Sequence, residues 1–217
     1  MKNLLITGGS RGIGLEIVKS LNKKYNIINI SRTLGGLEEF KNVEHISLDL
    51  SSSEAITRLE TILKTKQIDI LINNAGGGAH SKIQNISISK MNEAINLNLN
   101  SAIILSHLIS KRMIKNKSGQ IINIASIHAL QGNANSSLYS ASKFGLKGFS
   151  ESLFYELKKH KIKVTTIYPD LVDTDLLPKS FKGRDNILKP QNISNIVDYI
   201  LDLPENMVVK DLTLSFL

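Results

Sequence analysis

Short runs of consecutive apolar residues, many of them β-branched, recur along the chain, separated by longer stretches in which apolar residues return every three or four positions. The runs predict strands over Asn3 to Thr7, Asn26 to Ser31, Glu44 to Asp49, Ile68 to Asn73, Gln120 to Ser126, Lys163 to Tyr168 and Met207 to Leu214. The longer stretches predict helices over Gly12 to Lys24, Ser53 to Thr65, Lys90 to Asn116, Leu138 to His160 and Gln191 to Leu201, with a short helical turn near Gly36 to Phe40. A strand apolar on both faces needs a helical layer on each side, which marks a buried parallel sheet rather than hairpins. Every strand-to-strand connection is long enough for a right-handed crossover. The expected fold is therefore α/β, a doubly wound parallel sheet of about seven strands in a three-layer sandwich, as one domain over residues 1–217. Such sheets bind ligands at the carboxyl ends of their strands, so function is expected just after Thr7, Ser31, Asn73, Ser126 and Tyr168.

Composition narrows the chemistry. With 41% hydrophobic and 21% charged residues the 217-residue chain is an ordinary globular one, long enough to bury a core without disulfides or a structural metal. It has no cysteine, which excludes a disulfide framework, a thiolate nucleophile and every Cys-based metal site. No His, Asp or Glu cluster has metal-ligand spacing, so no metal is expected. The net charge of +8 invites a nucleic-acid partner, but the lysines are scattered, aromatics make up 5% and there is no Trp. An anionic small molecule fits better. No apolar stretch approaches the ~20 residues of a membrane span, and no signal-peptide core precedes Gly8. A cytoplasmic protein with no nucleic-acid or membrane partner is expected.

The first predicted strand runs into Thr7-Gly-Gly-Ser-Arg-Gly-Ile-Gly14 at the start of the first helix. Glycines there permit a tight turn and close approach to a pyrophosphate, while free N–H groups and the helix dipole attract it. Gly8, Gly12 and Gly14 anchor the loop, with Ser10, Arg11 and Ile13 between them, so a Rossmann-type dinucleotide site is expected. The second strand of such folds ends at a ribose, where an acidic residue selects the 2′-hydroxyl and a basic one the 2′-phosphate. Here it ends Ile30-Ser31-Arg32 without a carboxylate, and Arg11 can approach the same phosphate. The expected cofactor is NADP(H).

Tyr139-Ser-Ala-Ser-Lys143 lies at the start of a predicted helix, so Tyr139 and Lys143 share one face a turn apart. An ammonium beside a phenol stabilises the phenolate and lowers its pKa toward working pH, which makes the phenol a usable proton donor or acceptor. Ser126 closes the fifth strand upstream, and the three can converge. Together with the glycine loop, Asn73-Asn-Ala-Gly76, Asn98 and Pro169 at a strand end, these residues closely resemble the short-chain dehydrogenase/reductase family, in order and spacing, over essentially the whole chain.

The resemblance implies roles. Tyr139 would protonate a carbonyl oxygen as hydride arrives from the nicotinamide, or act as base in reverse. Lys143 would depress its pKa and bind the nicotinamide ribose, and Ser126 would hydrogen-bond the substrate oxygen. Asn98, chosen over Asn96 and Asn100 by the register of the following helix, would hold a water that relays protons to Lys143. Asp49 and Leu50 would meet the adenine, although Asp49 is also placed to cap the helix near Ser53. Asn73, Asn74, Ala75 and Gly76 would shape the adenosine side of the cleft, with Pro169, Val172 and Thr174 toward the nicotinamide. The implied activity is NADPH-dependent reduction of a ketone or aldehyde, with a 3-oxoacyl thioester as leading substrate. Lys117, Lys158, Lys159 and Lys161 would be contacts to an acidic carrier protein. The runner-up is an NADP-dependent alcohol or polyol dehydrogenase working oxidatively. A non-catalytic nucleotide sensor would be expected to lose Tyr or Lys, and both are present. Relatives pair through the helices containing Asn98 and Tyr139, so a homodimer or homotetramer is expected, with Phe144, Phe149 and Phe154 facing that seam or their own core.

Asp170 departs from the pattern, because the family usually has Gly after the proline. Asp tolerates a positive φ better than most residues, and here it adds a carboxylate beside the nicotinamide pocket. The substrate lid, at about 171–190, is short and no Gly-rich tail follows the last strand, so an open cleft is expected. His80 and His128 fall on loops beside the motifs, where either can touch substrate or face solvent; His45, His107 and His160 read as structural.

Overall fold

The computed structural model of the chain describes residues 1–78, 80–177 and 186–217. Strands β1 (Asn3–Thr7), β2 (Asn26–Ser31), β3 (Val43–Ser47), β4 (Ile70–Asn73), β5 (Gly119–Ile124), β6 (Ile162–Pro169) and β7 (Asp211–Leu214) form one parallel sheet of seven strands in the order β3-β2-β1-β4-β5-β6-β7. The order reverses between β1 and β4, which opens a crevice at their carboxyl ends. β1 and β2 have the expected bounds. β7 is shorter than expected because Met207 N–H closes a turn onto the Pro204 carbonyl and delays the pairing with β6.

Helices α1 (Gly12–Leu21), α2 (Ser53–Leu63), α3 (Ile88–Ile95), α4 (Ser101–Asn116), α5 (Ser137–Lys158) and α6 (Pro190–Leu201) cover the two faces. Alternation along the strands sorts the core. Leu4, Ile6, Ile72, Ile122 and Ile167 pack with Ile17 and Val18 of α1 and Ile193 and Val197 of α6. Leu5, Leu71, Ile121 and Val164 pack on the other side with Leu59 of α2, Leu105 and Ile109 of α4, and Leu153 of α5. Each such side chain contributes about 1.5–3 kcal/mol by leaving water.

The single helix expected from Lys90 to Asn116 is interrupted. Asn96–Asn100 form a π segment between α3 and α4, an insertion that often marks functional positions. No glycine or proline interrupts Ile95 to Leu105, so the sequence carries no breaker that marks the insertion. Of the expected lid, residues 178–185 lie outside the described residues. Its base is tied by a bridge between Val172 and Leu188 and an ion pair of Asp173 with Lys189 at 3.0 Å. No helix among the described residues is long and apolar enough to cross a membrane.

Candidate active site

A cleft of about 590 Å³ opens over the carboxyl ends of β1, β2, β4 and β5. Its floor is the glycine loop, where Gly8 and Gly12 have φ of 69° and 54° and a Cβ at Gly14 would collide with the Gly8 carbonyl oxygen. Polar side chains pin this loop from below. Asn29 Oδ1 accepts from Gly9 N–H at 2.8 Å, Asn74 Nδ2 donates to the carbonyls of Thr7 and Gly8 at 2.9 and 3.2 Å, and Thr7 Oγ1 accepts from the N–H groups of Asn74 and Ala75 at 3.0 and 2.9 Å. Asn29 and Thr7 were not among the expected site residues. The available signal for Asn29 was a polar side chain in an otherwise apolar strand, where it is fully buried.

Gly8, Ser10, Arg11, Gly12, Ile13 and Gly14 all line the cleft, as do Arg32, Asp49, Leu50, Asn74, Ala75 and Gly76. Arg11 and Arg32 are both exposed. A cradle without Cβ atoms at a helix N-terminus, with two guanidinium groups and no carboxylate closing β2, fits the phosphates of a dinucleotide. Asp49 lies beyond the end of β3 and does not cap α2; Ser52 does, its Oγ accepting from Ala55 N–H at 3.0 Å. Burial pushes the Asp49 carboxyl up, but hydrogen bonds from Ser51 and the charge of Arg32 prevail and hold it below the usual range.

Other expected residues fall elsewhere. Asn73 is buried beneath the cleft, donating from Nδ2 to Asn123 Oδ1 at 2.7 Å and Ser106 Oγ at 3.2 Å, and so braces β4 to β5 and α4. Pro169 ends β6 and Val172 is buried in the core against α1 and α6, whereas Thr174, with Asp175 and Leu176, lines the cleft. Asp170 has no positive φ: its N–H donates to the Leu214 carbonyl and its Oδ1 accepts from Leu171 N–H, each at 2.8 Å, which fixes the turn in an ordinary conformation. Lys117 immediately precedes β5, and Lys158, Lys159 and Lys161 immediately precede β6. In a parallel sheet those positions lie at the end opposite the cleft, so these lysines do not flank its mouth. Phe154 is buried, Phe149 packs partly against the core and Phe144 is exposed.

At the deep end, Ser126, Tyr139, Lys143 and Asn98 meet. Lys143 is buried, its Nζ 3.2 Å from the Ile124 carbonyl to which it donates and 5.7 Å from the centre of the Tyr139 ring. Burial lowers its pKa to about 8. Burial also raises the Tyr139 phenol above its ordinary range, against a hydrogen bond with Ser126 that acts the other way. The expected depression of Tyr139 by Lys143 is therefore absent here, because desolvation dominates both groups. Ser126 is held in place by its own loop, Oγ accepting from His128 N–H at 3.2 Å.

Asn98 sits in the π segment and its carboxamide is paired with Gly77, accepting from N–H at 3.0 Å and donating to the carbonyl at 3.1 Å. A Cβ at Gly76 would stand 3.1 Å from Asn98 Oδ1 and 3.5 Å from Lys143 Nζ, which shows how closely the three approach. The neighbouring asparagines point away from this contact, Asn96 donating to the Ser51 carbonyl and Asn100 to Asn96 Oδ1. No group of three or more potential metal ligands occurs among the described residues.

A glycine cradle at the switch point of a parallel sheet, with Ser, Tyr and Lys converging beside it, defines a dinucleotide-dependent oxidoreductase. Residues 2–185 match the family described as short chain dehydrogenase. The chain is 37% identical over 208 residues to the 3-oxoacyl-[acyl-carrier-protein] reductase of Buchnera aphidicola, covering 92% of this chain and 82% of that protein. It is also similar to the solved structure of 4-hydroxyisoleucine dehydrogenase complexed with NADH, at 28% identity and a TM-score of 0.89, covering 99% of this chain and 97% of that one. The closed form of serine dehydrogenase complexed with NADP+ follows at 25% identity and a TM-score of 0.88, covering 98% and 94%. The chain belongs to the short-chain dehydrogenase family, and it is an NAD(P)-dependent oxidoreductase acting on carbonyl or alcohol groups.

Proposed function

We propose that the protein uses NADPH to reduce the ketone of a 3-oxoacyl compound to a secondary alcohol. The observation that carries this reading is the convergence of Ser126 and Lys143 on a buried Tyr139, whose phenol burial raises above its ordinary range. When bound, the cofactor supplies the hydride. Ser126 holds the carbonyl oxygen, Tyr139 donates the proton to it, and Lys143, once turned from the Ile124 carbonyl, supports the developing phenolate. Asn98 acts through Gly77, holding the strand end beside Lys143. Arg11 and Arg32 take the 2′-phosphate, while Asp49, Leu50, Ala75 and Gly76 face the adenosine half and Thr174 the nicotinamide half. The named substrate of the Buchnera relative supports the acyl assignment. The far placement of Lys117, Lys158, Lys159 and Lys161 removes their support for a carrier protein. The exposed Phe144 on α5 supports pairing of two copies through α4 and α5.

Oxidation of a small polar alcohol is a second reading, favoured by the likeness to two dehydrogenases of hydroxylated amino acids. pH separates the directions. Reduction needs the protonated phenol and slows as pH rises toward the raised Tyr139 range, whereas oxidation needs the phenolate and accelerates. The test is NADPH consumption with acetoacetyl-N-acetylcysteamine, where Tyr139→Phe is expected to lower kcat by about 10²–10⁴-fold. Wild-type turnover in that variant would sink the reading.

A further inference from the structure

His80 and His128 have no part in the chemistry above, yet both rings rest against Tyr139. Their centres lie 5.2 and 5.3 Å from that of Tyr139 and 5.8 Å from each other. One comes from the loop after β4 and the other from the turn after β5. The dinucleotide cleft reaches Tyr139 and Lys143 from one side; the imidazoles cover the ring beyond it, where a substrate must lie to share Tyr139 with the cofactor.

Both rings are anchored by hydroxyls. His80 Nδ1 is 2.8 Å from Ser136 Oγ, and His128 Nδ1 is 3.4 Å from Ser140 Oγ. Among the described residues, the partner of His128 Nε2 is Asn133 Nδ2 at 3.5 Å, the outer limit of a hydrogen bond, so an incoming group can replace it. Among the described residues, the charged and titratable groups around the pair are Tyr139 and, behind it, Lys143 on α5, and Asp170 on the turn after β6, whose charge reaches His128. Burial and the proximity of His80 both disfavour a proton on His128 in the free protein, against the pull of Asp170. An anion arriving at the pair reverses that balance and draws a proton with it.

We propose that His80 and His128 form the part of the substrate site that takes a carboxylate, so that the protein acts on a short oxo acid and the corresponding hydroxy acid. The inference rests on the redox reading of Tyr139 and identifies the substrate class that this site selects. Recognition is strongest at acid pH, where His128 most readily takes a proton.

The experiment compares acetoacetate with the uncharged acetoacetyl-N-acetylcysteamine, both with NADPH. The ratio of their kcat/KM values is expected to rise about tenfold in favour of acetoacetate from pH 8 to pH 6, and His128→Gln or His80→Gln to lower it about tenfold at pH 6. A ratio unmoved by pH and by both substitutions overturns the proposal. A second readout needs no turnover: the histidine ring-proton resonances of the wild-type protein with NADP+ are titrated with and without acetoacetate. A midpoint raised by about half a unit or more on either imidazole supports the subsite, and unmoved midpoints on both overturn it. Failure of the redox reading would look different, as no NADPH consumption with either compound while the midpoint still rises.

Discussion

At the carboxyl ends of β4 and β5, neighbouring residues give the two faces of the sheet opposite characters. Ile72 and Ile122 point toward α1 and α6 into an aliphatic core, while Asn73 and Asn123, the next residue in each strand, point toward α4 and α5. There they form a buried ladder: Asn73 donates to Asn123 at 2.7 Å, Asn123 to Ser150 at 2.8 Å, and Ser150 to the Leu146 carbonyl at 2.6 Å. Among the described residues Asn73 Oδ1 has no partner, and Lys143 is buried a turn before Leu146. Apolar contacts resist unfolding without specifying where a helix sits along the sheet, whereas directional hydrogen bonds fix α5 against β5. The face that carries Tyr139 therefore accepts less favourable burial in return for position.

Substitutions at adjacent residues can break this division. Ile122→Ala is expected to destabilise the protein by about 2–5 kcal/mol, the range for a buried aliphatic deletion, with kcat of the folded fraction retained. Asn123→Ala removes less volume but leaves Asn73 and Ser150 short of partners, for about 1–3 kcal/mol. It should also slow turnover, because α5 loses its tie to β5. Urea unfolding beside steady-state kinetics checks both, and equal kinetic effects from the pair would show that the polar ladder has no positioning role.

That contrast was only half legible in the sequence. β-branched runs define strands by propensity and length, so β1 and β2 emerge with their observed bounds, and the glycine loop, Ser126, Tyr139 and Lys143 are recognisable because local spacing fixes their chemistry. What local spacing cannot carry is partnership at long range. Asn29 reads as an anomaly until Gly9 is brought to it, and the tie between Asn98 and Gly77 cannot be read from either residue alone. The lysines before β5 and β6 read as a docking patch until strand direction puts them opposite the cleft. The direction of the Tyr139 shift is hidden for a related reason: a helical spacing shows which charge is near, but not how far burial strips water from both groups.

Lys143 concentrates the conflict between the faces. Its pKa falls from 10.5 to about 8 through burial, a difference that costs on the order of 3 kcal/mol at neutral pH. Between those values the unfolded chain binds more protons at this residue than the folded one, so this contribution to stability rises with pH across the window and the full penalty is present below about 8. Lys143→Met should stabilise the cofactor-free protein by about 1–3 kcal/mol at pH 7, flatten that part of the pH dependence and abolish turnover. Denaturant midpoints at pH 7 and pH 10 provide the check. A variant less stable than wild type at pH 7 would mean that the hydrogen bond to Ile124 outweighs desolvation.

The smallest effect belongs to the other side of the cleft, where α1 and β2 hold the cofactor rather than the reacting bond. Arg32 is exposed, so its replacement should change stability by no more than about 0.5 kcal/mol. Its charge faces the cleft beside Asp49 and lowers that carboxyl, so Arg32→Asp both removes a cation from the 2′-phosphate position and sets a second carboxylate near the first. The KM for NADPH should rise about tenfold, equivalent to about 1.4 kcal/mol. NADH should be held as well as before or better, since a carboxylate at the end of β2 can accept from the ribose hydroxyls. Thermal midpoints measured beside KM for both cofactors distinguish the outcomes. Equal weakening of NADPH and NADH would place Arg32 on a group common to both, and a loss of stability larger than the loss of NADPH affinity would move it from the binding side of the molecule to the structural one.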